Sequence, residues 1–494
     1  MGGPDGQVSI KDEVMDAWIA EELKTVDLGD ERLDRRFGIV LERLAERPSV
    51  SIPAACKGLA ETQAAYRFFD NGRVEAGKVL QPHRQATLER IRQQSIVLIL
   101  QDTTELETTR PQEKVGGPLS WETQIGFLDH VLLAVTPERV PLGVVAAEIW
   151  ARDPEDFHKR RQKGQKPIEE KESYRWLQGY RRACAIAQAA PATTVICVSD
   201  SEGDVFECFA EADRESHAAA ARQADWIVRA GQDRRLASSE ASLLTAVAQT
   251  PVLHRFEVNV SKRRAACGDG KKQRRRQERA ARLARCTLRT ARVVLKAPWR
   301  KGRCLGDQEV NVVLVREENP PAGEEPVEWL LLTSLPVDTL EQALPVVEYY
   351  CCRWEIEVYF RVLKSGCGVE ELQLETEARF TACLAVYMIV AWRVLFVLMM
   401  GRKCPDLPCD AVLSDDEWQS VYWVVKQQPP PKEPPSLERM VELIASLGGY
   451  LGRKHDGAPG PQTLWIGIQR MRDYAAAWKT FGPGRSKPKR CVKR

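Results

Sequence analysis

The chain has 494 residues, 44% of them apolar and 29% charged, enough for roughly two to four domains, since a single core stops growing near ~250–300 residues. That composition excludes a disordered or fibrous protein. Its 72 basic and 69 acidic residues leave a net charge of +3, a near-balance that names no partner and conceals a strong local segregation.

The first residues, MGGPDGQVSIKDEV, lack the basic-then-apolar layout of a secretory signal, so a cytoplasmic chain is expected. Its fourteen cysteines include no Cys-x-x-Cys pair, and the spacings of Cys351, Cys352, Cys404 and Cys409 match no structural zinc site. They read as reduced, mostly buried thiols. Six scattered histidines offer little for a triad or a His-rich metal site. Chemistry is therefore expected from carboxylates.

Residues 1–75 read as a helical domain, with Trp18, Leu23, Leu28, Leu33, Phe37, Val40 and Leu44 at helix-like intervals. Lys24, Arg32, Arg35, Arg36 and Arg43 among them suit phosphates and an ordinary solvated face equally well. Residues 76–245 change period. The run 95–102 is apolar throughout and closed by Asp102, the pattern of a central strand covered on both faces. Two further strands, 127–136 and 142–150, resemble a meander. A helix over 174–189 precedes a second buried strand, 193–200, closed by Asp200. A helix over about 205–223 and a short strand at 225–230 come next. The sum is a mixed sheet with helices on its faces.

Residues 246–325 read as a β-rich insertion, with strands near 252–260, 286–295 and 310–315. Between the first two lies the run 261–285, with eleven bases against two acids, a local excess of +9 that leaves −6 for the rest. Lys262, Arg263, Arg264, Lys271 and Lys272 are its candidates for neutralising DNA phosphates. Residues 326–375 return to the core pattern, with a strand at 328–333 and one helix over about 340–364. Residues 376–494 read as a helical C-terminal domain. The stretch 382–400 is apolar enough to suggest a membrane span, but Arg393 inside it favours a buried helix and no membrane partner. The proline-rich segment 427–435 divides the helices beyond it into two groups.

On a regular helix Tyr350, Arg353, Glu357 and Lys364 would share one narrow polar stripe. With apolar residues on the other faces, that stripe should line a cleft. Two strand-end aspartates and a helical glutamate form a trio able to hold two divalent cations, which take oxygen ligands and serve phosphodiester displacement.

The order Asp102 (QDTT), Asp200 (SDSEGD), Trp329 (EWLLLTS) and Tyr350-x-x-Arg353-x-x-x-Glu357-x-x-x-x-x-x-Lys364 resembles the DDE transposases of the insertion-sequence-four family. The resemblance covers about residues 95–370. It implies an RNase H-like mixed-sheet catalytic core interrupted by a β-rich insertion and flanked by N- and C-terminal helical domains. It further implies that Asp102, Asp200 and Glu357 bind two Mg²⁺, with Mn²⁺ substituting, and that Tyr350, Arg353 and Lys364 hold phosphates. Trp329 matches an aromatic that stacks on a flipped base during hairpin formation, and Arg229 an arginine near that nucleotide. Glu172, Ser173 and Trp176 match a segment near the site. Residues 18–36 and 61–69 resemble the part that recognises terminal inverted repeats, and residues 460–470 a part used in dimer assembly. The expected partners are therefore double-stranded transposon ends, target DNA and a second copy of the chain. Two alternatives stay open: an RNase H-like nuclease that never joins strands, and a silent end-binding repressor.

Overall fold

A computed structural model describes residues 16–108, 115–121, 123–157, 167–213, 223–260, 280–300 and 304–483. Its strands are β1 (Ile96–Glu107), β2 (Gly117–Pro118), β3 (Ile125–Val135), β4 (Pro141–Trp150), β5 (Thr194–Ser199), β6 (Asp225–Arg229), β7 (His254–Val260), β8 (Arg282–Leu295), β9 (Gln308–Glu317) and β10 (Glu328–Thr333). They form one sheet in the order β2-β3-β1-β5-β6-β10-β9-β8-β7, with β4 paired to β3. β1, β5 and β6 run parallel, whereas β3 and β4 continue antiparallel from β1. The succession β4-β3-β1-β5-β6, with the helix Tyr174–Ala189 before β5 and Phe206–Ala212 before β6, is an RNase H-like core.

The uninterrupted apolar run of β1 is explained by burial on both faces. Leu98, Leu100 and Leu106 belong to one core with Val131, Ile196, Val198 and Ile227. Val97 and Ile99 belong to the other, with Val195, Cys197, Tyr180 and Phe206. The β-rich segment does not stand apart from this sheet. β9 pairs with β10 along the length of β10, from Glu328↔Arg316 to Thr333↔Asn311, and β8 and β7 extend it outward.

The single helix expected over 340–364 is instead broken. A first helix, Leu340–Cys351, starts at a capping box in which Thr339 and Gln342 satisfy each other's backbone amides. A second, Trp354–Arg361, comes after the break, and a π turn occupies Val362–Gly366. At the break the amides of Arg353, Glu355 and Ile356 bond three residues back, to Tyr350, Cys352 and Arg353. This tighter winding turns the second helix about its axis relative to the first. Trp354 is 60% exposed, whereas Ile356, Phe360, Val362 and Leu363 are buried.

The helix Glu377–Lys403 is, among the described residues, long and apolar enough to cross a membrane, but 83% of its most apolar stretch is buried inside the protein. Trp392 Nε1 donates to the Pro141 carbonyl at 2.9 Å, which docks the helix on β4. Arg393 lies over the Trp18 ring at 5.4 Å and donates to the Val412 carbonyl, and burial pushes its pKa down to about 10. The described cysteines are all free thiols.

Candidate functional site

The three parallel strands place the site by register. Leu100 pairs with Val198 and Val198 with Ile227, all on one face of the sheet. Two residues further on, the strand period puts Asp102, Asp200 and Arg229 on that same face in a row. β10 adds Leu331 opposite Arg229, so Trp329 comes next on the same face. The helix Trp354–Arg361 covers it, through Ile356, Tyr359 and Phe360.

Arg353, at the helix break, joins the acids. Its Nη1 donates to Asp102 Oδ2 at 3.1 Å and its Nη2 to Glu357 Oε1 at 2.6 Å. Asp102 also accepts from the Thr103 amide at 2.8 Å. Even so its pKa rises to about 7. Burial is the main cause and the charge of Asp200 the next, with Glu357 adding to it against the opposing pull of Thr103 and Arg353. One guanidinium does not neutralise three neighbouring carboxylates. Asp200 caps the short turn Ser201–Gly203 through the Glu202 amide at 2.8 Å.

Burial raises the pKa of the Tyr350 phenol, while the neighbouring Arg353 and Arg229 guanidiniums oppose the rise. The Tyr350 ring centroid lies 6.3 Å from that of Trp329. Arg229 Nη2 donates to the Glu328 carbonyl at 3.3 Å. Asp102, Asp200, Glu357, Arg353, Tyr350, Arg229 and Trp329 therefore share one neighbourhood. Lys364 does not join its ion pairs. The π turn sends it towards the end of β1, where its Nζ lies 3.7 Å from Glu370, which also accepts from the Glu107 amide at 3.1 Å. The proposed stripe is thus corrected at Lys364: the four polar residues do not lie on one regular helix.

The donor set suits hard divalent cations, being three oxygen ligands with excess negative charge. Arg353 stands between two of them, and among the described residues no three His, Cys, Asp or Glu side chains are closed around a common point. Other acids have partners of their own. Glu355 pairs with Arg139 at 3.4 Å, and Glu172 with Arg152 at 2.5 Å. Ser173 precedes the helix Tyr174–Ala189, and Trp176 packs edge-on against His130 at 4.9 Å. His130 is a satisfied core histidine: it contacts Thr103 Oγ1 at 2.8 Å and Gln101 Oε1 at 3.2 Å, and burial pushes its pKa down to about 3. Lys262, Arg263, Arg264, Lys271 and Lys272 lie outside the described residues. The flanking Val260 and Arg282 are register partners on β7 and β8.

Two features escaped the sequence. Asp129 pairs in register with Thr104, two residues along β1 from Asp102. Its carboxylate is wholly buried, with neither oxygen hydrogen-bonded, and burial raises its pKa well above the usual range. An acid inside the apolar run GFLDHVLLAV was the available signal. The second is a buried pair between Asp204 and Arg234, which no local spacing announces.

Three family models match in succession along the chain. Residues 15–74 match a transposase DNA-binding model, residues 211–392 a transposase DDE domain, and residues 389–480 the Tn5 transposase dimerisation domain. The DDE match contains Glu357 and begins beyond Asp102 and Asp200. A solved piggyBac transposase synaptic complex with hairpin DNA is similar at 11% identity and a TM-score of 0.34, over 78% of this chain and 77% of that one. The succession of DNA-binding, DDE and dimerisation segments on one chain places it among the DDE transposases, DNA-binding enzymes that depend on divalent metal, and it resembles the transposase of Tn5.

Proposed function

We propose that the chain is a cut-and-paste transposase that binds the inverted-repeat ends of its own element, nicks them, closes and reopens a hairpin, and joins the 3′ ends to target DNA. Asp102, Asp200 and Glu357 would hold two Mg²⁺, which when bound supply an activated attacking hydroxyl and stabilise the leaving oxygen. The observation that carries this is the single guanidinium of Arg353 spanning Asp102 and Glu357 beside Asp200. It occupies the place between carboxylates that a cation of higher charge suits better. An arriving DNA phosphate gives Arg353 a bidentate partner in exchange. Tyr350 stands next to it, and Lys364 would meet phosphates further along. Trp329 would stack on an extruded base and Arg229 hold its phosphate; stacking offsets about 1–3 kcal/mol of the extrusion cost.

The test uses the purified chain, the DNA flanking its gene and a target plasmid. Glu357→Ala should abolish Mg²⁺-dependent nicking and keep end binding, and wild type should yield joined product. Retained nicking in the variant refutes the carboxylate assignment, and cleavage without joining favours the nuclease alternative. Trp329→Ala should slow hairpin formation more than first-strand nicking.

A further inference from the structure

Three acids crowd the end of β5 in the sequence SDSEGD, and Asp204 is committed to a task other than metal binding. Its side chain is 1% exposed. Oδ2 accepts the backbone amides of Gly231 at 2.9 Å and Gln232 at 3.2 Å. Oδ1 accepts Arg234 Nε at 3.0 Å and Nη2 at 2.5 Å, and the same Nη2 donates to the Asp204 carbonyl at 2.9 Å. The Arg234 guanidinium carbon also lies 5.7 and 5.5 Å from the ring centroids of Phe206 and Phe209. The clasped segment comes directly after Arg229. Ala230 donates its amide to the Leu330 carbonyl at 2.7 Å, next to Trp329. The approach is close: a Cβ on Gly231 would come within 2.6 Å of the Ser201 carbonyl oxygen.

We infer that Asp204 is a positioning residue, a brace that fixes the spacing between Asp200 on one side and Arg229 and Trp329 on the other. The inference rests on the function proposed above, in which that second side holds an extruded nucleotide. First-strand nicking asks only that Asp200 be in place, and β5 together with the Glu202 amide secures it independently. Hairpin formation asks in addition that the nucleotide be held at a set distance from the cleaved phosphate, and a loosened brace gives up that distance. Small displacements of this kind carry large rate costs.

Asp204→Asn keeps the shape, removes the charge facing Arg234 and sets an NH2 donor where an oxygen accepted, against either the Arg234 guanidinium or the amides of Gly231 and Gln232. Hairpin formation should fall on the order of tenfold relative to first-strand nicking, with end binding unchanged. A 2-aminopurine at the terminal position should lose its extrusion signal. Arg234→Lys, which keeps the charge but loses the two-pronged contact with Asp204, should reproduce the split even if Asp204→Asn fails to fold. In a background carrying both Arg229→Ala and Trp329→Ala, Asp204→Asn should add no further hairpin defect, because the brace acts through those two residues. Equal loss of nicking and hairpin formation, or a further defect in that background, overturns the brace. Trp329→Ala run alongside separates the two levels. A split there but not in Asp204→Asn defeats the brace alone, and no split in Trp329→Ala defeats the base-holding role and the brace with it.

Discussion

Asp102 holds its proton far longer in the folded chain than in the unfolded one, because burial and the neighbouring Asp200 disfavour its charge. The folded pKa of about 7 lies above the unfolded carboxylate value of ~3.9. Stability therefore falls as pH rises between those values, and the loss is complete above the folded pKa. Asp102→Asn removes that penalty. In the absence of divalent metal it should be more stable than wild type at pH 8, by an amount on the order of 4 kcal/mol, and show no such gain near pH 3.5. Urea titrations at both values check this, and a gain independent of pH would contradict it. At this scale Asp102 and Asp200 were legible because each closes an apolar run, but only Asp200 ends its strand: β1 continues past Asp102 to Glu107, paired with β3, so the expected strand end at Asp102 is corrected to a position inside β1. Which of Asp200, Glu202 and Asp204 faces the cleft was decided by strand parity and by the backbone amides of 231–232, which come from a distant part of the chain.

Among elements, β1, β5 and β10 were readable because their apolar runs end sharply and both faces need covering. The helix expected to start near residue 340 does start there, at Leu340. The break at Cys352–Arg353 was not readable, since apolar periodicity continues on both sides of it and neither glycine nor proline marks it. It forms where the chain trades bonds four residues back for bonds three back, which brings Arg353 to Asp102. The π turn after Arg361 was hidden for the same reason, and it carries Lys364 out of the expected stripe. The joining of the β-rich segment to the core sheet depends on pairing β9 with β10, a contact set by tertiary packing. The helix Glu377–Lys403 was ambiguous by hydropathy, and Arg393 was the residue that decided in favour of burial.

Across the whole molecule, the N-terminal helices are tied into the catalytic sheet by a buried ionic knot. Glu22 lies 2.5 Å from His83 Nδ1 and 2.6 Å from Arg90 Nη1. Arg90 Nε donates to the Leu142 carbonyl at 2.6 Å, and the Val144 amide donates to His83 Nε2 at 3.0 Å. Burial opposes the charge of Glu22, and His83 and Arg90 overcome it to hold its pKa below the usual range. Asp16 and Glu417 meet on Arg472, which fastens the C-terminal helix to the same end. Glu22→Ala leaves two buried donors unpaired and should cost roughly 3–5 kcal/mol in a urea unfolding experiment; a loss under about 1 kcal/mol would show the knot to be ornamental. The same whole-chain folding brings Asp102, Asp200 and Glu357 together from three distant segments. Mn²⁺ binding to the chain on its own end DNA, followed by electron paramagnetic resonance in wild type and in each single alanine variant of those three, tests that convergence most directly. Saturable binding in wild type that every variant loses while still holding DNA is the expected result. Undiminished Mn²⁺ binding in any one of them would contradict it.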